Sequence, residues 1–477
     1  MFARSAAAVL ATALLHYFGT GLTPVPWLTW LAPLPVLLLA PRVSARVAAV
    51  TAFTAYLLGG ANTWHYYAVD LELPVPLLAL PVVLFPLLLT GVVLLFRAVL
   101  LRGNAVLAAV VFPSGIAAAE YLVSVTTPAG ANWSLAPTQS DLLPVLQIAS
   151  VTGGWGVSFL VSLLPAALAV TRPRVAAAGI LLVGLVVGFG VLRLATVDGP
   201  SSPRLTLLSA RTDRDEVRVD TPEGRDLVAA YVDWLRTAPD DGTRIVVLPE
   251  KGFRADETTL PALVGPLADA ARARGVDLVV GVALRTGERT YNTAFHLSAT
   301  TVVYRKHHLV PGLEDAFTAG TDLAFAPGSR IGIAVCADLG HPAFGRAYGR
   351  AGAGLLLVPA LDFTSDAWSQ SRVQLLRGVE SGFSVARAAR LGYLTLSDHT
   401  GRVVAQAATG SATPFTSVTG TLPMPEGATP YTRWGDWFAW LCLVVVVMAS
   451  WSIRRRSDSS EKDGEVVSAG RRRGSGR

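Results

Sequence analysis

Across its first 200 residues the chain carries only eight Lys or Arg, set between apolar runs close to 20 residues long. That distribution constrains the fold more than any motif, because about 20 apolar residues make a helix that crosses a bilayer. Spans are expected near 5–22, 26–40, 46–63, 74–96, 104–124, 153–171, 175–195 and 435–453. The first reads as a span rather than a signal peptide, since no small-x-small cleavage site leads from it into a soluble stretch. Pro74, Pro76, Pro81 and Pro86 are expected to kink the fourth. Glu120 sits near the end of a span, where a carboxylate is costly, and its expected role is packing or contact with a lipid headgroup.

Positive charge in short loops marks the cytoplasmic side of a membrane protein. Arg4, Arg42 and Arg46, Arg97 and Arg102, and Arg172 and Arg174 fall at the N-terminus and in every second loop, and Arg454 to Arg456 follow the last span. Eight spans with both termini cytoplasmic satisfy this pattern, which puts the domain between the seventh and eighth spans outside the cell membrane. The expected organisation is a transmembrane domain over 1–200 with about seven spans, a catalytic domain over 201–430, a last helix over 431–455 and a disordered cytoplasmic tail over 456–477. The tail is rich in Ser, Gly and charge and has no apolar periodicity.

Only 16% of the chain is charged, against roughly 25% in an average soluble protein. The net charge of +6 comes largely from loop and tail arginines, a placement that membrane orientation explains and that argues against nucleic acid as a partner. Cys336 and Cys442 are the two cysteines, and the second lies in an apolar run, so no structural disulfide is expected. His307 and His308 have no partner at ligand spacing, so no metal and no cofactor is expected.

Residues 201–430 have the composition of an ordinary soluble domain. Strands are expected at Arg204–Ala210, Arg244–Pro249, Asp277–Leu284, Thr290–Ser298, Thr301–Leu309, Arg330–Asp338, Gly354–Asp362, Tyr393–Ser397 and Gly401–Gln406. Helices are expected at 222–237, 258–274, 342–351 and 367–390. Mixed strand and helix order with hairpins points to a layered α/β sandwich, and runs such as IVVL point to strands buried on both faces.

Three strand ends carry unusual residues: Glu250 after RIVVLP, Lys306 in VVYRKHHLVP, and Cys336 in IGIAVCAD. Lysine is rare here, with Lys251, Lys306 and Lys462 against 37 arginines. A lone charge at such a place costs several kcal/mol if buried, whereas three groups at one sheet edge compensate one another. Taken singly, each reads as ordinary core or surface.

Together, LPE at Glu250, YRKHHLVPGLE from Tyr304 to Glu314 and AVCAD at Cys336 resemble the Glu–Lys–Cys signature of the nitrilase superfamily, the carbon–nitrogen hydrolases. Within it, the Lys306 segment, LPVLQIASVTGGWGVSFLV at 143–161 and RGVESGFSVARAARLGYLTLSDHTGRV at 377–403 resemble the apolipoprotein N-acyltransferase family. The resemblance implies a membrane domain of about eight helical spans joined to a nitrilase-like αββα sandwich. It implies transfer of a fatty acyl chain from a phospholipid donor, through a cysteine thioester, to the N-terminal amine of a lipoprotein's diacylglyceryl-cysteine. By motif, Cys336 is the nucleophile, Glu250 the general base, Lys306 the cation near the developing oxyanion, and Glu314 a supporting carboxylate.

These residue types suit that chemistry. A nearby ammonium is expected to lower the thiol pKa and favour thiolate. A desolvated carboxylate can shuttle protons to and from sulfur and amine, and a lysine can stabilise charge on the carbonyl oxygen. Ala337 and Asp338 stand where the family usually has Tyr-Glu, and Asp338 is the expected supporting acid. Ser209, Ala210 and Arg211 replace its usual Gln-Gly-Asn. Two other readings of the chain are a membrane-tethered amidase that uses water, and a paralogue without activity. The intact Glu250, Lys306 and Cys336 count against the second.

Overall fold

The computed structural model describes residues 2–195, 200–212, 214–410 and 413–454. The expected tail at 456–477 lies outside the described residues.

Among the described residues, four helices are long and apolar enough to cross a membrane: Val75–Leu101, Ala105–Thr126, Pro173–Ala195 and Trp437–Arg454. Around them pack Phe2–Gly19, Ala45–Gly59 and Gly154–Ala169. The expected span at 26–40 is two short helices, Pro26–Leu31 and Leu34–Leu39, which meet at Pro33. The kink expected near 74–96 takes the form of a π-turn over Leu80–Leu84 inside Val75–Leu101, a common response to proline in a helix ladder. Small residues let these helices approach closely, and Ala48, Ala52, Ala108 and Ala166 are wholly buried between them.

The other domain is built on two sheets. In the first, Phe415–Gly420 pairs antiparallel with Leu205–Ala210, which runs parallel to Ile245–Val247, and that strand runs parallel to Asp277–Thr286. Phe253–Asp256 and Val217–Arg218 continue this edge, and a hairpin of Arg289–Leu297 with Val302–Arg305 adds to the other side of Asp277–Thr286. The second sheet runs in the order Val403–Ala408, Tyr393–Ser397, Ser384–Arg390, Leu355–Leu361, Ile331–Ile333, Ala324–Phe325.

Strand periodicity makes the layers. Leu205 and Leu207 point between the sheets toward Ile333, Leu355 and Leu357. Leu208 and Ala210 point the other way, beneath the helices Pro222–Thr237 and Leu260–Arg274. Pro342–Arg350 and Ala367–Ser381 cover the far side of the second sheet, completing the αββα order that the family resemblance implies. Each such buried leucine contributes about 1.5–3 kcal/mol relative to an exposed one.

One expected helix is wrong in part. The helix over 367–390 stops at Ser381, Gly382 closes it at φ 81°, and Ser384–Arg390 is a buried central strand. Gly382 takes the left-handed cap that alanine disfavours. Beyond it the small residues of SVARAAR fit between two neighbouring strands, which overrides their helical propensity. The strands expected to run through Leu309 and Asp338 end at Arg305 and Ile333, leaving the motif residues beyond them on loops.

The two family-like segments at 143–161 and 377–403 meet at the seam between the domains. Gly154 N donates to Glu380 Oε1 at 2.7 Å, and Gln147 Nε2 donates to Thr400 O at 2.8 Å. Nearby, Asp436 accepts from Trp155 and binds Arg346 at 2.6 Å.

Candidate active site

Glu250, Lys306 and Glu314 converge at the end of the first sheet. Glu250 follows Ile245–Val247, and its backbone N donates to Ala360 O in the second sheet. Lys306 follows Val302–Arg305, and its backbone N donates to Asn292 O. Lys306 Nζ lies 2.8 Å from Glu250 Oε1 and 2.8 Å from Glu314 Oε2, with all three side chains buried. Glu314 is held in turn by Lys251 Nζ at 3.1 Å, by Asn292 Nδ2 at 2.6 Å and by Val310 N at 2.9 Å. Asn292 Nδ2 also reaches Glu250 Oε1.

Cys336 sits just past Ile331–Ile333, at the start of a 3₁₀ turn, with φ 41°. A non-glycine residue rarely adopts that left-handed conformation, and such strain concentrates at functional sites. Its Sγ donates to Leu361 O at 3.6 Å. The charges acting on the thiol are those of Glu250, Lys306, Asp362 and Arg387.

Asp338 is wholly buried and holds this turn against the Lys306 loop. Its Oδ1 accepts from His307 N at 3.0 Å and His308 N at 2.8 Å. Its Oδ2 accepts from Val335 N at 3.0 Å and Tyr304 OH at 2.6 Å. Two loops 30 residues apart in the chain are thus tied through one carboxylate.

Burial alone would lower the pKa of Lys306, but Glu250 and Glu314 carry it well above the ordinary lysine value. Burial opposes ionisation of Glu314, yet Lys306 and Lys251 prevail and hold it at about 2. The thiol does not follow the expectation from the neighbouring ammonium. Burial, and then the charge of Glu250, push Cys336 up despite Lys306. The resting group is therefore a thiol rather than a thiolate, and Glu250 is a carboxylate whose charge acts on it.

The thiol opens on a chamber of about 580 Å³ that runs between the two domains. Its walls come from membrane helices, from the 127–138 segment, from the loop at 309–313 and from the 361–373 segment that runs into the helix Ala367–Ser381. Phe85, Phe112, Trp133 and Phe363 make much of it apolar. Gly130, at φ 58°, lets the 127–138 segment approach the Cys336 turn, because a Cβ there would lie 2.5 Å from Gly340 O. Ala131 N donates to that same carbonyl. Glu120 lines the chamber and uses Oε1 to accept from Leu135 N at 2.8 Å.

Sequence reasoning missed Asn292, Lys251 as a partner of Glu314, and the buried Arg387–Asp362 pair behind Cys336. Asn292 had one legible signal, an amide in mid-strand where asparagine is disfavoured. Among the described residues no group of His, Cys, Asp and Glu forms a metal site.

An αββα sandwich with a buried Glu–Lys–Cys cluster, opening on an apolar chamber walled by membrane helices, defines a membrane-associated enzyme of the carbon–nitrogen hydrolase class. Residues 212–418 match the carbon–nitrogen hydrolase family, and residues 9–167 match the apolipoprotein N-acyltransferase N-terminal domain. The chain is 30% identical to the apolipoprotein N-acyltransferase of Geobacter metallireducens, over 93% of this chain and 94% of that one. It is 26% identical to that of Nitrosomonas europaea, over 91% and 95%. The chain belongs to the apolipoprotein N-acyltransferase family. An amidase from Nesterenkonia sp. AN1 is similar at a TM-score of 0.41 and 20% identity, over 50% of this chain and 96% of that one.

Proposed function

We propose that the protein transfers a fatty acyl chain from a phospholipid, through a thioester on Cys336, to the N-terminal amine of a lipoprotein's diacylglyceryl-cysteine. The observation that carries this reading is the position of the Cys336 thiol, with Glu250 and Lys306 behind it and an apolar chamber walled by membrane helices in front. Glu250 takes the thiol proton as sulfur attacks the donor ester, and returns it to the departing lysophospholipid alcohol. Lys306 stabilises the oxyanion, and the low dielectric of the chamber strengthens that interaction. Amine attack then breaks the C–S bond. An apolar chamber limits water and so favours the amine over hydrolysis.

The same reading places eight spans in the cell membrane, with both termini cytoplasmic and the catalytic domain extracytoplasmic. Arg97 binds Ala40 O and Val43 O, and Arg102 reaches Ile453 O, which gathers basic span ends at one end of the bundle. Ala105–Thr126, 22 residues long, separates that end from the 127–138 segment at the chamber, a distance of roughly 33 Å for an α-helix. Domain limits at 200, 430 and 455 follow from it.

The test is a two-stage assay. Protein in phospholipid vesicles is trapped as acyl-enzyme, then mixed with a diacylglyceryl-cysteinyl peptide, and the gain of one acyl chain is read by mass. Absence of an acyl adduct on Cys336 would overturn the proposal.

A further inference from the structure

An α-ammonium must lose two protons to become an amide. One can pass through Glu250 to the leaving sulfur; the other needs a second acceptor. At pH 7 an α-amine with pKa near 7.7–8.0 is mostly protonated and has no lone pair to attack with. A charged ammonium also enters an apolar chamber at a cost unless a carboxylate meets it.

We propose that Asp366 is that acceptor: it receives the incoming α-ammonium in the chamber and takes its first proton, delivering a neutral amine to the Cys336 thioester. This rests on the acyl-transfer reading above. The chamber has no lysine or arginine among the described residues that line it, and its carboxylates are Asp366 and Glu120. Glu120 stands on a membrane helix and braces the 127–138 segment through Leu135 N. Asp366 belongs to the loop that follows Leu361, whose carbonyl accepts from Cys336 Sγ. Its side chain folds back on the preceding loop, with Oδ1 accepting from Phe363 N at 2.9 Å, while Oδ2 accepts from Tyr66 OH at 2.7 Å. Each oxygen keeps a second lone pair for an ammonium.

The groups facing Asp366 are Tyr66 and, behind it, Tyr67, Asp362 with its partner Arg387, and Asp70 through Ser365. Burial, and then the charge of Asp362, raise Asp366 to about 7, against the opposing hydrogen bonds of Tyr66 and Phe363. That matches an α-ammonium closely enough for easy exchange. The balance is complete. Asp366 takes one proton, the N–C bond forms, the C–S bond breaks, and the second nitrogen proton passes through Glu250 to Cys336 Sγ. Asp366 later releases its proton to water.

The experiment uses the full chain in vesicles of phosphatidylethanolamine and phosphatidylglycerol, with a diacylglyceryl-cysteinyl peptide as acceptor. Aminolysis is measured per acyl-enzyme formed, from pH 5.5 to 9.5, for the wild type, Asp366→Asn and Tyr66→Phe. Wild-type aminolysis should fall below about pH 7, as Asp366 becomes protonated. Asp366→Asn should be about tenfold slower at pH 7 and recover near pH 9, where the amine is free in bulk. Tyr66→Phe removes a hydrogen bond to the carboxylate and should move the acid limb to higher pH. Wild-type aminolysis by Asp366→Asn, or a loss that pH does not rescue, overturns the proposal. If Asp366→Asn forms no acyl-enzyme, Tyr66→Phe decides, and an unmoved limb overturns it. A wild-type chain that never acylates Cys336 instead removes the acyl-transfer reading itself.

Discussion

Lys306 Nζ lies 2.8 Å from Glu314 Oε2, with both side chains almost wholly buried. Glu250 shares the same ammonium from the other side, so two carboxylates are held apart by one compact cation. A planar guanidinium cannot occupy that point without pushing both away. Lys306→Arg is expected to lose thioester formation by a factor of at least about 100, a size that transition-state hydrogen bonds commonly carry. Rapid-quench mass measurement of the acyl-enzyme checks it, and wild-type rates in the variant would remove Lys306 from the oxyanion role.

The same pair has a pH signature. Glu314 sits at about 2 in the folded protein, against about 4.3 for a free glutamate. A depressed carboxylate stabilises the fold above its unfolded pKa, and that stability is lost as pH falls through the folded value. The term is worth roughly 3 kcal/mol near neutrality. The gap in unfolding free energy between the wild type and Glu314→Gln should therefore be widest above about pH 5 and close toward pH 2. A gap that stays constant with pH would show that the charge is not what stabilises the site.

Of the two cysteines, Cys336 faces the chamber and Cys442 packs among Ala117, Tyr121 and Trp155 between membrane helices. Cys336→Ser is expected to abolish the thioester, and Cys442→Ser to leave its yield unchanged. If both variants behave alike in the acyl-trapping assay, the nucleophile is misassigned.

Asp338 accepts four hydrogen bonds, three of them from backbone N–H groups. An asparagine presents an NH₂ to donors on one side, leaving two of them opposed rather than satisfied. Each buried unsatisfied donor costs about 1–3 kcal/mol, so Asp338→Asn should lower the melting temperature and slow thioester formation at least about tenfold. Tyr304→Phe removes one donor and should cost about 1 kcal/mol. Equal melting of Asp338→Asn and wild type would show that this carboxylate does not brace the turn.

How much of this was readable in the chain differs by scale. Runs such as IVVL, and the rarity of lysine, exposed the strands and Lys306 because those signals are local, although two of the strands end earlier than expected. The helix expected over 367–390 failed where Gly382 and the neighbouring strands Leu355–Leu361 and Tyr393–Ser397 decide the outcome, and no local period carries that. Asp338 was visible as a substitution within a motif, but its four donors were not, since three come from residues 304–308 around Lys306. The chamber and Asp366 were invisible, because Tyr66 and Asp366 are 300 residues apart. Side-chain pairing over such distances leaves no periodic trace in composition.

The seam offers the clearest test of whether the domains depend on one another. Glu380 Oε2 lies 2.8 Å from Arg377 Nη1, and its Oε1 accepts from Gly154 N, where Gly153 reverses the chain at φ 70°. A Cβ at Gly153 would lie 2.5 Å from the Tyr431 ring, so the reversal packs tightly against the short helix Pro430–Trp434 that follows the catalytic domain. Glu380→Ala strands a buried guanidinium and a buried N–H together, and breaking such a pair costs about 3–5 kcal/mol. Glu380→Gln keeps an acceptor for Gly154 and should lose less. The melting temperature should thus fall in the order wild type, Gln, Ala, with limited proteolysis cutting first between the domains in the Ala variant. If Ala and wild type melt together, the contact between 143–161 and 377–403 is incidental, and the two domains hold their places by apolar packing alone.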